Sequence, residues 1–452
     1  MTEITVHRVP FRGARGGTGP FTWGQLDMWA EARLSMAGLP SFANVLGGGP
    51  LPPGLKTDQV LEAFGRLVER HESLRTRFRP GPGGDAARPE QEVLRAGELA
   101  AEVAAVDPDQ NIFAIVGGWW PQMQDTPYDL VDGLPFRIRI GTVGDEPVMV
   151  MFGMSHMASD FLGTRVVYGE LLDLLEGREP EGGAAQPLDL AEEERSAAGR
   201  RVLERALDHW RAALDAAPPA MFPTPSRTPE EARYWRGDLC SQTAARALRR
   251  AADRCGAGTS NVLLALTAAL VGAHTGLDRC AMRMPSGNRG RPELRRMVST
   301  LSQETPLVID LRAGTLQEVV AAARTASLHA QRNARYDPEP VAAIRDASAT
   351  VLDVCFNDMW TPVCAGRPAA EPAAPPAEST FEWNEKVDRA TVALFLEAFE
   401  VLEDPEAIRL SLFADTAHLS PARIRSFLDA IERLLVVFAE RDVRLDEIDP
   451  DS

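Results

Sequence analysis

Apolar residues at Val60, Leu61, Phe64 and Leu67 recur at the spacing of one helix face, so the pattern predicts an amphipathic helix over 58–67. The chain then runs through Arg70-His71-Glu72-Ser73-Leu74-Arg75-Thr76-Arg77-Phe78, whose end alternates like a strand. Gly81-Pro82-Gly83-Gly84 predicts a hairpin turn after it. Residues 136–140 alternate as well. Positions 147–154 are continuously apolar between turn residues, the pattern of a strand buried on both faces. A helix is expected over about 164–175, an exposed connector rich in Gly, Glu and Pro over 177–186, and one long helix over about 191–214. Pro218, Pro219, Pro223 and Pro225 break that pattern and predict a crossover. The second half repeats the mixture, with helices near 244–255, 260–275 and 316–333. A Pro/Ala-rich stretch over 361–378 reads as a mobile surface loop, and a helix over about 421–441 closes the chain. No short-period repeat interrupts this. The expected fold is α/β with two comparable lobes: residues 1–180, a linker helix and crossover over 181–235, and residues 236–452.

A length of 452 residues allows such a division, and 44% hydrophobic with 25% charged residues is ordinary globular composition. Charge changes the picture more. The formal net charge of −17 repels phosphate backbones, which excludes nucleic acid as an expected partner. The longest apolar runs, 147–154 and 262–271, are too short to span a bilayer, so no membrane association is expected. Arg12 and Arg15 are followed by no apolar stretch, so no secretory signal is read. Cys240, Cys255, Cys280, Cys355 and Cys364 are scattered and odd in number, without metal-ligand spacing. A reduced, cytoplasmic, monomeric protein without a bound metal is the expectation.

The chemistry centres on His156, with Asp160 four residues later, directly after the buried strand. A strand end is a rigid platform for catalytic groups, and imidazole exchanges a proton near neutrality. A carboxylate one turn on can fix the local backbone or pair with an arginine. A core histidine with a capping aspartate gives the same local pattern.

A family resemblance supplies the context. Thr22-Trp23-Gly24-Gln25-Leu26-Asp27-Met28-Trp29 resembles the first motif of the condensation domains of nonribosomal peptide synthetases, and Arg70 to Phe78 is very close to the second, RHExLRTxF. Ser155-His156-Met157-Ala158-Ser159-Asp160-Phe161 falls where that family carries HHxxxDG. Ala206-Leu207-Asp208-His209-Trp210, Gly287-Asn288-Arg289-Gly290-Arg291-Pro292-Glu293-Leu294 and Val354-Cys355-Phe356-Asn357 resemble later family segments, the last being the strand of the floor loop. The six matches keep the family's order across about residues 20–440.

The resemblance implies a chloramphenicol acetyltransferase-like fold, two lobes in a V with a central tunnel. It implies His156 as the catalytic residue and Asp160 as a structural aspartate paired with an arginine, for which Arg70, Arg75 and Arg289 are all candidates. Trp23, Phe161, Ser299, Gln303, Glu304 and Asn357 are candidate tunnel residues, with Glu304 reading either as an extra carboxylate facing the tunnel or as a solvated strand residue. The implied reaction joins an amine (or hydroxyl) to an acyl thioester in antibiotic-type biosynthesis. Substrates are presented on the phosphopantetheine of a separate carrier protein, with no bound cofactor, by a free-standing enzyme. Arginines 289, 291, 295 and 296, with 246, 249, 250 and 254, form basic clusters that could dock an acidic carrier or be solvated helix faces.

Three departures bear on that expectation. Ser155 stands for the first histidine of the motif, Phe161 for its glycine, and Ser299-Thr300-Leu301-Ser302-Gln303-Glu304 for GxFxNT. Ser155 still offers a hydroxyl. Gly163 is expected to take over the backbone freedom that Phe161 lacks. Two rivals follow: a degenerate domain that recruits other enzymes to a carrier-bound peptide, and a coenzyme A-dependent acyltransferase of the same superfamily.

Overall fold

The structure is a computed structural model that describes residues 4–36, 44–81, 85–182, 185–364 and 375–449. Two compact units divide the chain: residues 1–204 with 287–303 and 335–338, and residues 205–286 with 304–334 and 339–452.

The first unit contains β1 (Ile4–Arg12), β2 (Gly17–Pro20), α1 (Trp23–Met36), β3 (Asn44–Pro50), α2 (Thr57–Arg70), β4 (Thr76–Gly81), β5 (Asp85–Val93) and β6 (Ala96–Ala105). It continues with α3 (Ile112–Asp125), β7 (Phe136–Val143), β8 (Glu146–Ser155), α4 (Phe161–Leu175) and α5 (Pro187–Arg195). Its main sheet has the order β1-β6-β7-β8-β3, with β6 and β7 parallel and the other neighbours antiparallel. A three-stranded sheet, β2-β5-β4, stands beside it. The apolar run that predicts a two-face-buried strand is β8, whose Val150, Phe152 and Met154 join the core with Phe64 and Leu67 of α2. Helix α2 follows its apolar spacing: Val60, Phe64, Leu67 and Val68 are fully buried.

The second unit holds β9 (Tyr234–Ser241), α7 (Gln242–Cys255), α8 (Thr259–Thr275), β10 (Arg279–Ser286), β11 (Gln303–Asp310), α9 (Leu316–Arg332) and α10 (Pro338–Ala347). There follow β12 (Val354–Asp358), α11 (Thr361–Cys364), β13 (Thr380–Val387), β14 (Leu394–Glu400), β15 (Ile408–Asp415) and α12 (Pro421–Glu440). Its sheet runs β11-β10-β12-β14-β15-β9-β13, with β10, β12 and β14 parallel. Helices α7, α8, α9 and α12 share one apolar core with strands of this sheet.

Three expectations change. The helix expected over 191–214 is two helices, α5 and α6 (Ala197–Ala216), because the Ser196 hydroxyl accepts from the Ala198 and Gly199 amides and starts a new helix. The division between units falls within α6, after Glu204, rather than over 181–235. Residues 287–303 return to the first unit, since Val298 enters its core and Leu294, Met297 and Leu301 pack on Leu190. Of the expected turn at 81–84, residues 82–84 lie outside the described residues, though Gly81 and Asp85 pair across it. Of the loop expected over 361–378, residues 365–374 lie outside them and 361–364 form α11; in the connector over 177–186, residues 183–184 lie outside them.

Candidate active site

Strand β8 ends at Ser155, and the chain turns at once. The Ser155 carbonyl accepts from the Ala158 amide at 2.8 Å and its hydroxyl from the Met157 amide at 3.3 Å. Ser155 is therefore a buried turn former whose hydroxyl serves the backbone. The turn delivers His156 to the strand end, half-buried. Its Nδ1 lies 3.3 Å from the hydroxyl of Thr300, a fully buried residue. Burial holds the imidazole pKa below its ordinary value; the Asp160 charge and a hydrogen bond to the residue's own backbone act in the opposite direction.

Asp160 begins α4. Its Oδ1 accepts from the Gly163 amide at 2.9 Å, an N-cap. Its Oδ2 accepts from Arg289 Nη1 at 2.7 Å and from the amides of Leu301 and Ser302 at 3.0 and 3.1 Å. Burial alone would raise this carboxyl, but Arg289 and the amide donors outweigh it and hold the pKa below its usual range. Arg289 is thus the partner among the three candidates. It reaches Asp160 from a bend where Asn288 takes a left-handed φ of 52° and donates to the Leu301 carbonyl at 2.8 Å. The other guanidinium nitrogen of Arg289 donates to the carbonyls of Met297 and Ser299.

The other two arginines serve elsewhere. Arg75 is buried, and its guanidinium donates to the carbonyls of Val68, Arg15 and Leu94. Arg70 donates to Glu170, a buried carboxylate that also meets His71 Nε2 at 2.7 Å and Arg296 at 3.2 Å. Much of the RHESLRTRF motif is therefore a clamp joining α2, α4 and the 287–303 segment.

Phe161 is the first helical residue of α4 and half-buried. This position asks for no glycine conformation, so Gly163 is not needed to compensate. Gly163 is small for another reason: a Cβ there would stand 2.2 Å from the Ser159 hydroxyl. Thr22 and Gln25 form a reciprocal cap at the start of α1: the Gln25 amide donates to Thr22 Oγ1 and the Thr22 amide to Gln25 Oε1. Trp23 is buried, and its amide donates to Glu194 at 2.8 Å. Glu194, paired with Arg335, is pushed up to about 7, chiefly by burial.

Ser299 is buried beside Thr300, with a hydroxyl that has no hydrogen-bond partner among the described residues. Gln303 is occupied at both ends by the backbone of Tyr336. Glu304 pairs with Arg283, and Asn357 stands on β12 in register with Glu397, all within the second unit. Most of the basic clusters have structural partners: Arg291 pairs with Glu193 and Arg250 with Glu440, while Arg249 lies over Trp360 and Arg254 binds the Phe438 carbonyl. Arg295 is exposed. Thr300, Glu170 and Glu194 carry no sequence signal of their own.

Gly24 of α1 faces the same segment. A Cβ there would sit 2.2 Å from the Thr300 carbonyl oxygen and 3.1 Å from its carbon, both backbone atoms. Gly24→Ala should therefore cost about 1–3 kcal/mol, the usual cost of forcing apart a packed contact. Urea unfolding measures it, and an unchanged midpoint would show that the contact is not close in solution.

Comparison with known proteins gives this geometry its context. The phosphinothricin tripeptide synthetase PhsC of Streptomyces viridochromogenes is 25% identical over 317 residues, covering 68% of this chain and 29% of that protein. The chain spans less than a third of the length of the curated relatives it matches. Among solved structures, the first condensation domain of the CDA synthetase matches with a TM-score of 0.71 at 16% identity, covering 96% of this chain and 99% of that one. The X-domain solved in complex with OxyB from teicoplanin biosynthesis matches with a TM-score of 0.66 at 19% identity, covering 95% of each chain. The family model described as the condensation domain matches residues 36–444, nearly the whole chain, and the chain belongs to that family.

Proposed function

We propose that the protein joins an amine (or hydroxyl) nucleophile to an acyl or peptidyl thioester held on the phosphopantetheine of a carrier protein supplied in trans. The observation that carries this reading is His156 at the end of β8 with Nδ1 3.3 Å from the Thr300 hydroxyl; burial lowers its pKa, which favours the neutral, basic ring. A thioester is already activated, so the protein mainly aligns the reactants and moves one proton. His156 Nε2 takes the proton as the nucleophile attacks the carbonyl carbon. The carbon–sulfur bond then breaks, and the proton passes to the departing thiolate. No acyl-enzyme is needed.

Intact-mass measurement with separately loaded donor and acceptor carriers tests the reading. The donor should lose its acyl mass while the acceptor, or a free amine, gains it. Transfer from coenzyme A thioesters alone would move the protein to the coenzyme A-dependent class. A second reading has its own support. Ser155 and Phe161 replace two motif residues, and the fold is shared with an X-domain solved in complex with OxyB. No transfer, together with tight binding of a carrier-bound peptide, would establish that recruiting role.

A further inference from the structure

We propose that Thr300 is a positioning residue for His156, through which Asp160 and Arg289 set the orientation and tautomer of the imidazole. The inference rests on His156 acting as the base. The Thr300 hydroxyl lies 3.3 Å from His156 Nδ1, within reach of the ring at the nitrogen opposite Nε2. A base at Nε2 requires the proton on Nδ1, and the Thr300 hydroxyl oxygen is then its acceptor. Nε2 is left with its lone pair free, as a base requires.

Thr300 can hold the ring because its own backbone is held from several directions. The next two amides, of Leu301 and Ser302, donate to Asp160 Oδ2. The preceding carbonyls of Met297 and Ser299 accept from Arg289, and the Val298 carbonyl accepts from the Ser73 hydroxyl. The Thr300 carbonyl itself lies against Gly24. The Asp160–Arg289 pair thus grips the chain on both sides of Thr300, whose side chain meets His156 Nδ1. This gives the aspartate of the motif a route to the chemistry without contact with substrate.

Thr300→Val removes the hydroxyl at nearly constant volume, and Thr300→Ser keeps it. Thr300→Val should lower kcat about 10- to 100-fold, the range seen when the partner that orients a functional histidine is lost. KM should stay near the parent value, and Thr300→Ser should recover most of kcat. Nitrogen-15 spectra of labelled histidine, with His156 assigned by its loss in His156→Ala, give a second readout that needs no turnover. The parent should show the Nδ1–H tautomer and Thr300→Val a mixture. An unchanged kcat, a serine variant as poor as the valine one, or a His156 spectrum unmoved by Thr300→Val would each overturn the proposal. If His156→Ala is itself as active as the parent, the function proposed above fails, while the spectra still report whether Thr300 holds the ring.

Discussion

His156→Ala should lower turnover by about two to four orders of magnitude, the usual worth of a placed acid–base group. The loss is bounded because the thioester is activated and alignment by the rest of the site survives. KM should change little, since the ring is asked to handle a proton rather than to bind substrate. The fold should persist: among the described residues the side-chain bond lost is the long one to Thr300, on a half-buried ring. The pH dependence follows from the sign of the shift. Burial places the native pKa below the ordinary histidine value of about 6.5, so the imidazole is neutral through the physiological range. The acid limb of kcat/KM should fall below that value in the parent and be missing from the variant. Unchanged turnover in His156→Ala would remove the residue from the mechanism and favour the recruiting role.

The parts of this site that were legible in the sequence are those fixed by local pattern. The run over 147–154 announces β8 because a strand buried on both faces has no polar side to alternate with. The spacing of Val60, Leu61, Phe64 and Leu67 announces α2 for the corresponding reason. What was not legible depends on chain closure. Arg70, Arg75 and Arg289 look alike in sequence, and only the return of residues 287–303 to the first unit brings the third to Asp160. Thr300 is the sharper case. Its neighbours Ser299, Gln303 and Glu304 attract notice by replacing expected residues, yet the contact with His156 is made by the threonine between them. No local pattern encodes a contact between positions 144 apart in the chain. Phe161 misleads in the opposite direction: a motif glycine suggests a special backbone, whereas the first turn of α4 accepts any residue with an ordinary helical φ.

Asp160→Ala should act first on stability, with an expected loss of about 3–5 kcal/mol, because it strands the buried Arg289 guanidinium without its counter-charge. The lost N-cap on the Gly163 amide adds about 1 kcal/mol at most exposed helix starts, so the ion pair decides the outcome. Asp160→Asn separates the two effects. Its amide oxygen can still cap Gly163, but its NH2 would face three donors, Arg289 and the amides of Leu301 and Ser302. The asparagine variant should therefore be nearly as unstable as the alanine one. Acid supplies an independent check with a definite sign. The native pKa of Asp160 is depressed, so its contribution is fully present above the ordinary carboxylate pKa of about 3.9 and is lost as pH falls through the native value. Thermal melts of the parent should show that acid loss, and melts of Asp160→Asn should lack this component. An alanine variant that melts like the parent yet has lost turnover would place Asp160 in the chemistry rather than in the scaffold.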